Sequence, residues 1–190
     1  SPIIVERETV DNCLSKKGET ANTCPLLFEE GGGEVLLESE KFILILPNIR
    51  SAHNVGAMFR TADGAGVDKI YLTGYTPVPP HPRLDKVSLG AEKWMPWEYA
   101  KQTGRLLKQL KEKGYNIVAL EQTKESVSLY EWSSQFPLAL VVGNEKTGVT
   151  KAMLKYCDQS VELPMRGRKK SLNVSVAAGI AMFYISSKMN

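Results

Sequence analysis

The C-terminal part of the chain contains the sequence LPMRGRKKSLNVSVAAG at residues 163–179. A short apolar run ends in Pro-Met, a basic loop follows, and Ser-Leu-Asn opens a run of small and apolar residues. This pattern predicts a helix over residues 172–187 with Ser171 as its N-cap. One face of that helix carries Leu172, Val176, Gly179 and Ile180. Free N–H groups at a helix N-terminus favour a polar or anionic ligand, so the segment fits either a binding pocket or an ordinary capped helix.

Upstream of this segment, short apolar runs alternate with helical patterns from residue 41 onward. Predicted strands cover residues 42–46, 69–72, 94–97, 115–120, 138–142 and 160–163. Predicted helices cover residues 52–62 and 99–113, and Thr150 caps a shorter one. The proline-rich stretch 74–82 predicts an irregular loop. Continuous apolar strands alternating with helices are typical of an α/β fold with a mostly parallel sheet flanked by helices.

Composition limits the possible domains and partners. Residues 1–40 are polar, contain Gly31-Gly32-Gly33 and predict a partly irregular N-terminal extension, whereas residues 41–190 predict one domain. The formal net charge of +3 permits a nucleic-acid partner without requiring one. No apolar run approaches the roughly 20 residues of a membrane span. The three cysteines lie in no metal-ligand pattern, which predicts a cytoplasmic protein without a metal site.

Three segments with polar side chains follow predicted strands, at residues 48–63, 141–149 and 163–179. Ligands of parallel sheets bind beyond the carboxyl ends of the strands, so we expect these segments to converge on one site. They contain no dinucleotide-binding or P-loop glycine spacing, and no Ser–His–Asp or Cys–His arrangement is readable. We interpret His53 and His81 as loop or surface residues rather than catalysts.

These three segments resemble, in order and spacing, the three motifs of the SpoU (TrmH-like) branch of the SPOUT RNA methyltransferases. The resemblance covers residues 41–187. It implies an α/β fold with a C-terminal trefoil knot, which is an exception to the rule that chains do not thread loops. It further implies that S-adenosylmethionine binds in the knot, that the protein is a homodimer, and that it methylates a ribose 2′-hydroxyl in tRNA or rRNA.

The resemblance assigns catalytic roles by position to Asn54, Arg60, Glu145 and Asn173. Arginine stays protonated in proteins, so Arg60 is a poor general base, and we expect it to bind the RNA phosphate and stabilise the developing alkoxide. Asn54 would orient Arg60 or the ribose, or be a plain turn residue. Glu145 would hold Arg60 or an arginine of a partner subunit, or cap the following turn. Asn173 would place the cofactor within the knot.

The resemblance also implies which residues surround the cofactor and the RNA. The expected cofactor-binding residues are Leu120, Glu121, Gln122, Val142, Gly143, Leu163, Met165, Ser171 and Leu172. RNA phosphates would be held by basic groups, unless these are simply solvated. The candidates are Arg50, Arg83, Lys86, Arg166, Arg168, Lys169 and Lys170. Two features depart from the family pattern: Lys146 stands where glycine is common, and the loop 166–170 is unusually basic.

Two other functions remain open from the sequence. The first is a SPOUT enzyme that methylates a base, although such members usually lack the Asn54–Arg60 pair. The second is a catalytically silent RNA-binding or assembly protein on the same fold. The joint presence of Arg60, Glu145 and Asn173 argues against it, because a protein without catalysis has no evident need for all three.

Overall fold

A parallel sheet of seven strands organises residues 41–189, the part of the chain that the computed structural model describes. The prediction for residues 1–40 lies outside the described residues. The strands are β1 (Phe42–Pro47), β2 (Lys69–Thr73), β3 (Trp97–Ala100), β4 (Asn116–Leu120), β5 (Val127–Ser128), β6 (Leu138–Val142) and β7 (Gln159–Glu162). The helices are α1 (Ala52–Ala65), α2 (Pro82–Ser88), α3 (Thr103–Glu112), α4 (Lys151–Leu154) and α5 (Val174–Ser186), with a 3₁₀ turn at Ala91–Lys93.

The strand order is β3-β2-β1-β6-β4-β7-β5, and every neighbouring pair is parallel. All residues of β1 and β6 are buried, because helices cover both faces of the sheet. Side chains alternate across the sheet, so Phe42, Leu44 and Leu46 pack with α1 and α5, whereas Ile43 and Ile45 pack with α3. The predicted α/β architecture is therefore confirmed.

The edge strand β3 lies further along the chain than the sequence predicted. The predictions of a strand at 94–97 and of a helix from residue 99 are wrong, because β3 spans Trp97–Ala100 and α3 begins at Thr103. Tyr99 instead pairs with Leu72 of β2. Over four residues, a half-exposed edge strand and the first turn of an amphipathic helix share similar side-chain patterns, so sheet pairing decided this boundary.

The proline-rich stretch is irregular only as far as His81. Pro82 opens α2, since proline suits the first turn of a helix, where its missing N–H group is not needed. The His81 side chain accepts a hydrogen bond from the N–H of Arg83 at 3.3 Å and caps the helix. His81 therefore has a structural role at the surface, as its interpretation as a loop residue suggested.

The last helix begins at Val174, and its N-cap is Asn173. The Asn173 Oδ1 accepts hydrogen bonds from the N–H of Ser175 at 2.9 Å and from its hydroxyl at 2.6 Å. The prediction of Ser171 as the N-cap is therefore wrong. Asparagine and serine are both favourable caps, and the position at which the backbone turns selected Asn173.

Strand β7 lies between β4 and β5 in the sheet. Val161 of β7 pairs with Leu120 on one side and with Val127 on the other. The connection 121–126 therefore joins the two strands that flank β7. The C-terminal knot stays a prediction, with which this strand order is consistent. Among residues 41–189, no helix is long and apolar enough to cross a lipid bilayer.

Candidate active site

A cavity of about 530 Å³ opens where β4, β6 and β7 end. All nine residues predicted to surround the cofactor line it: Leu120, Glu121, Gln122, Val142, Gly143, Leu163, Met165, Ser171 and Leu172. Glu145 and Asn173 also line it. Six further residues of the lining were not predicted: Asn144, Lys146, Gly148, Glu162, Val174 and Ala177. The volume is typical of a small-molecule site.

Two glycines allow the loop after β6 to fold back along the cavity wall. A Cβ atom at Gly143 would lie 2.6 Å from backbone atoms of Gly148 and Val149. Gly148 has a φ of +62°, and a Cβ there would collide with the Glu121 carboxylate. That carboxylate accepts a hydrogen bond from the N–H of Val149 at 2.6 Å. Glu121 thus fixes the loop as well as lining the cavity.

Glu145 joins this loop to the N-terminus of α1. Its Oε2 accepts a hydrogen bond from the N–H of Arg50 at 2.9 Å, and its Oε1 accepts one from the N–H of Ser51 at 3.0 Å. The same Oε1 accepts a hydrogen bond from the Asn54 side chain at 3.0 Å. Of the three roles considered from the sequence, holding Arg60 and capping the following turn are not observed among residues 41–189, and holding an arginine of a partner subunit stays a prediction. Glu145 instead holds the two residues before α1 and the Asn54 side chain, about 90 residues earlier in the chain, while Ser51 is the N-cap of that helix.

The hydrogen bonds keep Glu145 ionised. Partial burial raises the pKa of this carboxyl, but the backbone N–H groups and the Asn54 amide outweigh that effect and lower the pKa below its usual value. A carboxylate with these partners is suited to holding a helix terminus. It is poorly suited to accepting a proton at neutral pH.

Asn54 continues the network towards α5. Its Oδ1 accepts a hydrogen bond from the Asn173 side chain at 3.3 Å. Three of the four predicted catalytic residues, Glu145, Asn54 and Asn173, are therefore linked by consecutive hydrogen bonds. They come from three separate segments of the chain, as the convergence of strand ends predicts.

Asn144 is buried and ties three loops together. Its Nδ2 donates hydrogen bonds to the carbonyl oxygen of Asn48 at 2.5 Å and to the hydroxyl of Tyr75 at 2.9 Å. Its Oδ1 accepts hydrogen bonds from the N–H groups of Lys146 and Thr147. Sequence reasoning assigned Asn144 no role, although its place between a strand-end glycine and a glutamate was a usable signal. Lys146 stands where glycine is common in the family, but it joins this turn through its backbone N–H, which any residue at the position would supply.

Arg60 does not line the cavity of its own chain. It is exposed on α1, and its side chain makes no hydrogen bond or ion pair with residues 41–189. Arg60 shares a helix face with Gly64, four residues on, and a Cβ at Gly64 would lie 3.7 Å from the Phe183 ring of α5. The structure thus places Arg60 beside α5, apart from the other three predicted catalytic residues.

The basic residues predicted to bind RNA are all exposed, and they lie on three segments. These are Arg50 after β1, Arg83 and Lys86 on α2, and Arg166, Arg168, Lys169 and Lys170 between β7 and α5. Met165 and Ser171 line the cavity on either side of the last group, so the basic loop lies at the cavity mouth. No cluster of metal-binding side chains is found within residues 41–189.

Comparison with known proteins establishes the family. The sequence pattern of the SpoU rRNA Methylase family matches residues 41–183. The chain belongs to this family. The resemblance read from the three motifs is therefore confirmed, and the matched range begins one residue before β1 and ends within α5.

Two curated relatives illustrate the similarity of this SpoU family member. It is 35% identical over 152 residues to the tRNA (guanosine(18)-2′-O)-methyltransferase of Aquifex aeolicus, across 79% of this chain and 71% of that enzyme. It is also 35% identical over 159 residues to the 23S rRNA (guanosine-2′-O-)-methyltransferase RlmB of Shewanella oneidensis, across 83% of this chain and 64% of that enzyme. Several relatives are thus longer than the matched region, which spans less than two thirds of their length.

Solved structures of relatives share the fold of this SpoU domain. The A. aeolicus TrmH/SpoU tRNA modifying enzyme superposes with a TM-score of 0.72 at 32% identity, across 78% of this chain and 75% of that one. The rRNA methyltransferase of Sinorhizobium meliloti, solved with S-adenosylmethionine bound, gives a TM-score of 0.74 at 26% identity, across 79% and 57%. The fold class predicted from the sequence is confirmed by these similarities.

Proposed function

We propose that this protein transfers the methyl group of S-adenosylmethionine to a ribose 2′-hydroxyl of tRNA or rRNA. The observation that carries the proposal is the chain of hydrogen bonds from Glu145 through Asn54 to Asn173 at the rim of the cavity. It joins the three motifs in one site. The similarity to enzymes named as tRNA and rRNA 2′-O-methyltransferases supports the same reaction.

The cavity suits S-adenosylmethionine in size and in chemistry. Leu120, Val142 and Leu163 offer apolar surface to an adenosine, and the backbone of the loop 143–149 lies along one wall. The carboxylates of Glu121 and Glu162 also line the cavity, and they favour a ligand that carries positive charge. When bound, the cofactor supplies a methyl group on a cationic sulfur. The residues that would hold S-adenosylmethionine are those that line the cavity.

The protein's main task is to align the ribose oxygen with that methyl group, because methyl transfer from a sulfonium is an in-line displacement. Glu145 serves this alignment by fixing the start of α1 and the Asn54 amide. Its pKa lies below the ordinary carboxyl value, which makes its carboxylate a weak base at neutral pH. Arg60 would bind the neighbouring phosphate and stabilise the alkoxide that develops as the hydroxyl loses its proton.

The position of Arg60 supports a homodimer. The outer face of α5 and the residue before its cap carry exposed apolar side chains: Leu172 (42% exposed), Val176 (50%), Ile180 (38%) and Phe183 (54%). We name these four residues the α5 stripe. Leu172 also lines the cavity, so the stripe runs from the cavity along the helix to the neighbourhood of Arg60. A stripe of this kind on a helix is typical of an interface.

A second copy seated on the α5 stripe would bring its Arg60 towards the cavity of the first. Interfaces between identical chains are usually two-fold symmetric, so each chain would complete the site of the other. This arrangement accounts for a predicted catalytic arginine that does not reach the cavity of its own chain. The basic loop 166–170 at the cavity mouth would contact RNA phosphates. Such a substrate implies a cytoplasmic enzyme.

Methyl transfer can be measured directly. The protein is incubated with S-adenosylmethionine carrying a tritiated methyl group and with total RNA, and the RNA is then digested to nucleosides. We expect label in 2′-O-methylated nucleosides, and loss of this label in Arg60→Ala.

Label in a base would favour the base-methylating alternative. An absence of label in RNA that the protein binds would favour the silent RNA-binding protein.

A further inference from the structure

Tyr75 presents an aromatic ring to solvent beside the catalytic network. The residue is 62% exposed, although its hydroxyl accepts a hydrogen bond from the buried Asn144 side chain at 2.9 Å. Asn144 lines the cavity and directly precedes Glu145 in the chain. The ring therefore stands at the edge of the site, outside the cavity itself.

Hydrogen bonds also hold the backbone of the loop 74–76, which carries Tyr75. The N–H of Tyr75 donates a hydrogen bond to Asn48 Oδ1 at 3.3 Å. Gly74 has a φ of +65°, and a Cβ at that position would collide with the same Asn48 side chain. Thr76 is buried, and its hydroxyl donates to the carbonyl oxygen of Leu46 at 2.7 Å and accepts from the N–H of Ile49 at 2.9 Å. An aromatic ring held at its backbone and at its hydroxyl loses little conformational entropy on binding.

A second tyrosine belongs to the same surface. Tyr99, at 47% exposure, donates its hydroxyl hydrogen to the carbonyl oxygen of Gly74 at 2.8 Å. Two exposed rings thus meet one short loop at the ends of β2 and β3. Exposed aromatic residues that are held in place, rather than scattered singly, indicate a binding surface.

Basic residues that flank this loop in the sequence favour a nucleic acid as its partner. Exposed Arg50 lies two residues after Asn48, and exposed Arg83 and Lys86 lie on α2, the helix that follows the loop. Basic groups bind phosphates, while aromatic rings stack on bases, and the combination is the usual equipment for holding single-stranded RNA. A ring without neighbouring cations would suit a protein partner equally well.

We infer that Tyr75 is a stacking platform for a nucleobase of the substrate RNA close to the methylated nucleotide. The inference rests on the RNA methyltransferase function proposed above and adds to it the residue that holds a base. Stacking accepts any base, so Tyr75 would contribute to affinity and placement without selecting sequence. Its tie to Asn144 would couple the position of that base to the loop that carries Glu145.

The experiment compares Tyr75→Leu, Tyr75→Phe and the control Tyr130→Leu. Tyr130 is similarly exposed, at 56%, but it follows β5 at the opposite end of the sheet. Affinity for radiolabelled total tRNA and rRNA is measured by filter binding, and affinity for S-adenosylmethionine by calorimetry. Since stacking on one aromatic side chain is worth about 1–3 kcal/mol, we expect Tyr75→Leu to weaken RNA binding about 10-fold. We expect Tyr75→Phe and Tyr130→Leu to stay within about 3-fold of the parent protein.

Three results would overturn the inference. The first is RNA binding by Tyr75→Leu that equals the parent protein. The second is an equal loss in Tyr75→Phe and Tyr75→Leu, because the hydroxyl anchor rather than the ring would then be responsible. The third is a parallel loss of S-adenosylmethionine affinity, which would show that Tyr75 only supports the cavity. Failure of the proposed function is a separate result, since it would appear as an absence of methyl transfer by the parent protein.

Discussion

The Oε1 atom of Glu145 accepts a hydrogen bond from Asn54 Nδ2 at 3.0 Å, across 91 positions of sequence. This contact connects the loop after β6 with the first turn of α1. The same carboxylate accepts hydrogen bonds from the backbone N–H groups of Arg50 and Ser51, which directly precede α1. The first two sequence motifs are therefore held together by one ionised side chain, that of Glu145.

Replacement of Glu145 by glutamine tests that connection. One oxygen of the carboxylate becomes an NH₂ group that cannot accept the hydrogen bond from the N–H of Arg50 or Ser51. We expect the free energy of unfolding to fall by about 1 kcal/mol, a modest amount because the group is partly solvated. We also expect slower methyl transfer, because Asn54 loses its fixed orientation. Urea unfolding and single-turnover rates measure the two effects, and an unchanged rate would show that the network is not needed for catalysis.

The contribution of Glu145 should depend on pH in a defined direction. Its pKa in the folded state lies below the ordinary value of 4.5, so the ionised form stabilises the native state. That stabilisation is fully present above about pH 4.5 and is lost as the pH falls through the folded-state pKa. We expect the difference in unfolding free energy between the parent protein and Glu145→Gln to shrink in that range. A difference that grows on acidification would contradict the assignment.

Asn173 should have two separable roles, in helix capping and in catalysis. Asn173→Ala removes the N-cap of α5 and should lower the unfolding free energy by about 1 kcal/mol. Asn173→Asp keeps the capping oxygen but loses the amide that donates to Asn54, so stability should be largely retained while methyl transfer falls. Ser171→Ala should leave the unfolding free energy unchanged, because Ser171 is not the cap. Thermal unfolding and activity assays of the three variants distinguish these effects.

Gly143→Ala should damage the cavity. The added methyl group would lie 2.6 Å from backbone atoms of Gly148 and Val149, so the loop 143–149 has to move. We expect a loss of about 1–3 kcal/mol in stability and a marked loss of S-adenosylmethionine binding. Gly167→Ala is the matched control for both readouts, because nothing lies within 4 Å of its Cβ position. Tight cofactor binding by Gly143→Ala would show that the loop adapts without cost.

Mixed dimers should reveal where Arg60 acts. Arg60→Ala and Asn173→Asp are each expected to be inactive. If Arg60 completes the cavity of the partner subunit, a mixed dimer has one intact site, so an equimolar mixture should recover about a quarter of the parent activity. If Arg60 acts within its own chain, the mixture stays inactive. Phe183→Glu, which places a charge on the α5 stripe, should prevent the recovery by separating the chains.

Local patterns in the sequence predicted most of the secondary structure. The all-apolar runs at β1 and β6 are recognisable because both faces of a central parallel strand are buried. The resemblance to the family named nine residues that do line the cavity, and their binding of the cofactor stays a prediction. The boundary between β3 and α3 was not predicted correctly, because four residues of an edge strand resemble a helical turn until a neighbouring strand pairs with them.

The sequence by itself determined the alternation of strands and helices, although it missed β5 and α2, and it determined the three motifs and hence the family, because those depend on neighbouring residues and on spacing. Only the tertiary structure decided which motif residues meet. Glu145 holds Asn54 and two backbone N–H groups rather than Arg60, and Arg60 lies beside the α5 stripe. These pairings depend on how segments some 90 residues apart are oriented when the strands come together, and no local pattern encodes that orientation. The hydrogen bond from buried Asn144 to the exposed Tyr75 ring likewise depends on how the loops after β2 and β6 come together.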